Sequence, residues 1–337
     1  MAQANMLRGN QGKLLAKIEA AYGTDPTPTV GANAVLVSGP PKIVPVINMI
    51  PRSLFKHTLA SAGEFAGSAW YKYTHKFRAI CAPDPSSNPL PEPDYSPFLQ
   101  ASGLLLASTG SPLDTHTYTL SSKTAQSSLT QYFYIPQDAP TNEDLFQTNG
   151  CVNNLKFTCS EDAGAFFEFD GMGRYVEPVS LTASGDPTYI DLNDSMPGKN
   201  ATFTIHGVAF NVTNLEIDLG MTVEPIPDIG GAATHGRAGF YVTRGLGSSI
   251  KGKLTAVLTP ESVHNRWAFV TAETLGAFSL ALLSPGGTQL TIVAPAFQFT
   301  NPDFDIEKAK VIVDQPFVMR DSADTGDDAI SFVFTRP

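Results

Sequence analysis

Six histidines, three cysteines and 32 acidic residues are the side chains that could supply acid–base, nucleophilic or metal chemistry, and their spacing decides whether they do. The histidines stand singly at 57, 75, 116, 206, 235 and 264, none with another histidine or a carboxylate two or four residues on. A zinc centre needs such close partners, so these read as structural histidines. Asp303-Phe304-Asp305-Ile306-Glu307 spaces three carboxylates as a calcium loop does, but Lys308 stands where that loop needs its sharp-turn glycine. Asp321, Asp324, Asp327 and Asp328 gather around Gly326 and read as a solvated acidic loop. Cys151 and Cys159 fall on one expected strand, roughly 26 Å apart if extended and beyond disulfide reach. With Cys81 they read as free thiols. Gly245-Leu246-Gly247-Ser248-Ser249 lacks the third glycine of a dinucleotide loop and opens no helix. Asn193, Asn200 and Asn211 begin glycosylation-type triplets, yet Met1–Ile18 sets Arg8, Lys13 and Lys17 among Gln and Asn and does not read as a signal peptide. The expectation is no catalytic residue, no metal and no cofactor, hence a structural protein rather than an enzyme.

Composition points the same way. Charged residues make up 16% of the chain, against roughly 25% in an average globular protein, so much of the surface is expected to be covered by other subunits. The formal net charge of −10 opposes ordinary nucleic-acid binding, although an acidic wall would let DNA slide without sticking. No apolar run is long enough to cross a membrane as a helix. With 28 Gly and 26 Pro, turns and short strands are favoured over long helices.

The elements that would position these residues are therefore mostly strands. Tyr71–Ile80 and Asn214–Leu219 alternate apolar and polar residues, and further strands are expected at 115–120, 129–135, 154–159, 165–169, 201–205, 240–243, 250–258, 278–283, 289–293, 308–314 and 330–335. Ser284-Pro285-Gly286-Gly287 reads as a hairpin turn. Two helices are expected, one opening at Ser96-Pro97 and running through Leu105 and Leu106, the other opening at Thr259-Pro260 and ending at Gly276. Each follows a strand with lysines on its polar face, Lys72 and Lys76 in one half, Lys251 and Lys253 in the other. Strands ending Phe157-Thr158 and Phe299-Thr300 repeat the match, so the chain reads as two copies of one unit. The expected organisation is an arm over 1–50, a first domain over 51–190 and a second over 191–337. Proline breaks the apolar run Ile43–Ile50, so the arm is expected to dock on its own domain or on a neighbour.

Lys17-Ile18-Glu19-Ala20-Ala21-Tyr22-Gly23-Thr24-Asp25-Pro26-Thr27-Pro28-Thr29, continued by Ala32–Val37, resembles the opening of the major tail tube proteins of long, non-contractile-tailed bacteriophages. Tyr95–Leu104 is similar to that family's short helix, and Tyr132–Tyr134, Gly150–Phe157 and Phe166–Gly171 to its strands. The resemblance covers roughly the first half. It implies two tandem β-sandwich or barrel domains, each with one flanking helix, in stacked rings around a channel for the genome. Two domains per chain imply three chains per ring, with a hexamer of chains as the alternative. The implied partners are further copies, the tape measure, tail terminator and distal tail proteins, and DNA passing without sequence-specific binding. The implied location is the virion tail, assembled in the host cytoplasm. Candidate subunit contacts are Val35, Leu36, Val37, Ile43 and Val46 of the arm and Lys72, Lys76, Lys251 and Lys253. The loops Pro51–Ser68 and Pro225–Gly239, with Phe55, Phe65, Ile226 and Ile229, are expected between rings. The alternative is another virion β-protein, such as a capsid-decoration or adhesin protein.

Overall fold

A computed structural model describes residues 7–52, 63–80, 90–110, 115–122, 126–138, 141–189, 196, 198, 201–228, 236–245, 249–257, 260, 262–301, 303–307, 310–322 and 326–336. The chain is mainly β. Its first half runs β1 (Lys13–Ile18), β2 (Ala34–Val35), β3 (Lys42–Pro51), β4 (Glu64–Arg78), α1 (Ser96–Ala101), β5 (Leu104–Thr109), β6 (Thr115–Leu120), β7 (Leu129–Pro136), β8 (Asn142–Ser160), β9 (Gly164–Tyr175) and β10 (Val179–Thr182). The second half runs β11 (Ala201–Ile205), β12 (Val208–Ala209), β13 (Val212–Asp218), β14 (Thr222–Pro227), β15 (Arg237–Thr243), β16 (Ile250–Val257), α2 (Arg266–Thr271), β17 (Gly276–Leu283), β18 (Gln289–Phe299), β19 (Asp303–Glu307), β20 (Lys310–Arg320) and β21 (Ser331–Thr335).

The two halves repeat one pairing scheme, all of it antiparallel. In the first, β1 joins β2 and β7, β7 joins β8, β8 joins β9 and β10, and β4 lies between β3 and β9. In the second, β11 joins β12 and β17, β17 joins β18, β18 joins β20 and β21, and β16 lies between β13 and β20. Even an irregularity recurs, between Leu129 and Gln131 of β7 and between Gly276 and Phe278 of β17. The bulges fix the correspondence: Cys151 with Phe297, Lys72 with Lys251, Tyr73 with Gly252, and Ile43 with Ile217. The side chains differ, but the ladder is duplicated.

The halves are fused rather than merely adjacent. β8 continues through β13, so β3, β4, β9, β8, β13, β16 and β20 form one sheet across the midpoint of the chain. On the other layer the β5–β6 hairpin of the first half extends the second half's sheet by pairing with β21. One core serves both, with Phe77, Phe98, Phe157, Phe167 and Phe169 buried alongside Ile217, Phe332 and Phe334. Aromatic contacts cross between the halves, Phe167 with Phe332 at 5.7 Å and Tyr95 with Phe334 at 6.4 Å.

Several local expectations change. Lys42–Pro51 is a strand despite Pro45, because proline is tolerated on an edge. The second helix opens at Arg266, not Pro260: Asn265 supplies the cap, its side chain accepting from the Ala268 amide at 2.9 Å. The first helix stops at Ala101, and Leu105 and Leu106 lie on β5. Asp303–Glu307 is strand rather than ion-binding loop. Phe157 corresponds to Phe304, not Phe299, since the register is set by bulges. The segments flanking 51–64 and 225–239 are hairpin strands rather than plain loops: β3 and β4 extend to Pro51 and Glu64, and β14–β15 occupies the equivalent place in the second half.

Candidate assembly interface

The segment Lys17–Thr29 is a hydrogen-bonded clasp. Glu19 is buried, and its carboxylate accepts from the Ser128 and Thr130 hydroxyls at 2.6 and 2.7 Å and from the Gly23 and Gly150 amides at 2.6 and 2.7 Å. A buried charge is tolerable only when so fully bonded. The Tyr22 hydroxyl donates to the Gly150 carbonyl at 3.0 Å and accepts from the Phe240 amide at 2.6 Å, tying β8 to β15. Burial raises this phenol to about 12, which keeps it a donor. Asp25 accepts from the Tyr132 hydroxyl, from Gln147 and from its own turn at Thr27. β1 meanwhile buries Leu14, Leu15 and Ala16 against β7.

The seam between the halves is a strand-to-strand contact. β8 and β13 pair with Phe157 opposite Ile217, Thr158 opposite Glu216 and Lys156 opposite Asp218. Backbone bonds extend it at both ends, Leu219 amide to Leu155 carbonyl at 3.0 Å and Glu161 amide to Thr213 carbonyl at 3.2 Å. Phe157 and Ile217 are fully buried on the core side. On the solvent side Lys156 sits 3.8 Å from Asp218. That pair belongs to a cross-strand row, Lys76–Glu168–Lys156–Asp218–Lys251, in which the sign alternates over five neighbouring strands. Opposite charges facing each other across a ladder stabilise it modestly and set its register.

The sheet that crosses the seam ends in two edges, while β2, β5, β10 and β12 also have one partner each among the described residues. β3 pairs only with β4, and β19 only with β20, among the described residues. The β3–β4 hairpin exposes Val44, Ile47, Met49, Ile50 and Phe65. A long apolar edge of this kind is a template for another strand.

The candidate contacts are distributed as follows. Val35 is buried in the chain's own core, paired with Leu14, and has no surface for a neighbour. Leu36 is half-buried and its amide donates to Asp94 at 2.8 Å, while Val37 and Ile43 pack against the core. Val46 is half-buried on β3, opposite Trp70. Lys72 and Lys251 are exposed at equivalent positions. Lys76 lies over the Phe166 ring at 4.4 Å, and Lys253 pairs with Asp314 at 2.6 Å within the chain. This contact, helped by Thr255, holds the Asp314 carboxyl below its ordinary range. Phe65 and Ile226 are exposed on the two equivalent hairpins; Phe55 and Ile229 lie outside the described residues. The seam and the Glu19 clasp escaped the sequence reading, because pairing between β8 and β13 depends on contacts far apart in the chain.

Histidines sit in packing roles: His75 bonds Gln131 at 2.8 Å, and His206 and His264 lie 5.6 Å apart among Phe210, Phe269 and Phe299. Cys151 and Cys159 are buried free thiols, and Cys81 lies outside the described residues. Among the described residues, no three His, Cys, Asp or Glu side chains are grouped to hold a metal ion.

No curated protein matches the chain. The family profile described as phage tail tube protein matches residues 91–319, which takes in α1, both sheet layers, the seam and nearly all of the second half. The duplicated antiparallel scaffold and this match together place the chain in the phage tail tube protein family.

Proposed function

We propose that the protein is the repeating subunit of the tail tube of a phage with a long, non-contractile tail, and that it assembles into stacked rings of three chains around a channel for the genome. The observation that carries this is the fusion of two equivalent halves through β8 and β13, which makes each chain two tube units already joined edge to edge. Three such chains give six units per ring. The seven-strand sheet that crosses the seam is the channel wall on this reading. Its solvent face alternates charge instead of presenting one sign, so it offers phosphates no extended positive surface to bind. The terminator and distal tail proteins would meet the ends of the stack, with the tape measure protein within it.

Purified protein, concentrated and examined by electron microscopy, should form hollow tubes, and mass measurement of the ring should give three chains. Six chains per ring would reject the arithmetic of fused halves. A closed trimer that never stacks would favour a capsid-decoration role instead.

A further inference from the structure

The internal seam specifies the external one. Because the halves share a ladder, every strand of the seam has a counterpart. β13 corresponds to β3, and the C-terminal part of β8 corresponds to β19. In the first half β8 is filled by β13; in the second, the equivalent edge of β19 pairs with nothing among the described residues, and so does the outer edge of β3. Following the ladders from Lys72 and Lys251 carries Glu216 onto Lys42, Ile217 onto Ile43 and Asp218 onto Val44. Following them from Phe167 and Val313 carries Phe157 onto Phe304 and Thr158 onto Asp305.

We propose that β19 of one copy adds antiparallel to β3 of the next, with Lys42 opposite Asp305 and Ile43 opposite Phe304. The inference rests on the tail-tube reading and supplies its subunit contact. Three observations select a second copy of this chain as the occupant. The register comes from a seam already present in the molecule. It sets a lysine directly across from an aspartate, as Lys156 faces Asp218 in the internal seam. The edge it covers is the apolar one bearing Val44 and Ile47.

The prolines of β3 fit this docking and discourage others. Leu219, whose amide crosses the internal seam, corresponds to Pro45, and Leu215 corresponds to Pro41. Both prolines retain an outward carbonyl but have no amide to give. The edge therefore only accepts hydrogen bonds at 41 and 45, and between them exchanges bonds in both directions at Ile43. A partner on this edge must accept a position without a donor beside Ile43, which guards the edge against strands that need an unbroken ladder.

The test is a cysteine pair. Facing residues of an antiparallel ladder bring their Cα atoms within about 5.5 Å, inside disulfide range. Lys42→Cys combined with Asp305→Cys, assembled and then oxidised, should give chains linked to one another, closing as a covalent trimer on a non-reducing gel. Lys42→Cys with Asp303→Cys, two residues out of register, should not. Charge reversal gives an independent reading: Lys42→Glu and Asp305→Lys should each raise the concentration needed for assembly by about tenfold, and the double variant should restore it. Normal tubes without the 42–305 link, or single reversals that assemble like the parent chain, would overturn the register while leaving the tube reading intact. A parent chain that stays monomeric at every concentration would reject the tube reading itself.

Discussion

Phe317 packs against Gly252 from the neighbouring strand, and at the equivalent point of the other half Tyr73 packs against Gly171. The aromatic and the glycine have changed strands while the space they fill has stayed. A Cβ on Gly252 would collide with the Phe317 ring and the Glu216 carbonyl; one on Gly171 would collide with the Tyr73 ring and the Val152 carbonyl. A ring can turn aside, but a ladder carbonyl cannot. Gly252→Ala and Gly171→Ala should each destabilise the fold by about 1–3 kcal/mol, read as a lower urea midpoint. Variants as stable as the parent would show that the sheet yields there.

Glu19 answers four donors, so its removal strands them all in a buried site. Glu19→Ala should cost about 3 kcal/mol or more, and Glu19→Gln somewhat less, because one oxygen remains to accept. Tyr22→Phe should cost about 1 kcal/mol and speed amide exchange at Phe240, which loses its acceptor. Truncating residues 1–30 should unfold the first half rather than leave a folded, unassembled chain, since β1 leaves with them. A soluble, cooperatively folding truncation would contradict this.

Acid should loosen the protein. Burial pulls His75 down to about 4; burial, then His206 and Arg266, pull His264 to the same value, and burial lowers His206. An unfolded histidine takes its proton near 6.5. Between about pH 6.5 and 4 the unfolded chain therefore binds protons that the folded chain refuses, and stability falls as pH falls. Asp94 works against this: burial raises it to about 7, so the folded chain keeps a proton that the unfolded chain has released, and its contribution falls as pH rises over the same range. Asp94→Asn should remove that opposition and steepen the acid loss. Urea midpoints measured from pH 4 to 7 will test this; a parent chain that gains stability on acidification would refute the histidine assignment.

Lys156 lies directly opposite both Glu168 and Asp218, with Asp170 at 4.0 Å. Lys156→Glu would gather four carboxylates on neighbouring strands. A loss of about 1 kcal/mol or less is expected, because the site is partly solvated, and it should shrink in 0.5 M salt, where charges are screened within a few ångströms (roughly 4). A loss that ignores salt would point to packing of the lysine stem instead.

Strand identity was legible where side chains alternate cleanly: Thr115–Leu120 and Ala201–Ile205 run between the same residues in sequence and structure. The tandem repeat was legible too, through Lys72 and Lys251, which do occupy equivalent positions. Its other landmarks were not. Pro97 and Pro260 look alike, yet the second helix is set by the Asn265 cap, and Phe299 looks like Phe157, yet two ladders align Phe157 with Phe304. Register comes from bulges and from strands distant in sequence, and neither leaves a local pattern. β3 was obscured for a different reason: proline marks a break in most strands and an edge in this one.

On the proposed assembly, the internal seam also sets the valence of the molecule's main sheet. Two separate tube units would present four edges in the main sheet, two of each kind. Pairing β8 with β13 consumes two of them at synthesis and leaves β3 and β19, which are unlike each other in sequence and direction. On the proposed ring, a main sheet with one edge of each kind joins head to tail, and a constant turn at each joint would close the chain of subunits on itself. Half of the joints in such a closed ring are covalently guaranteed, so only the remaining half draw on the translational and rotational freedom of free subunits.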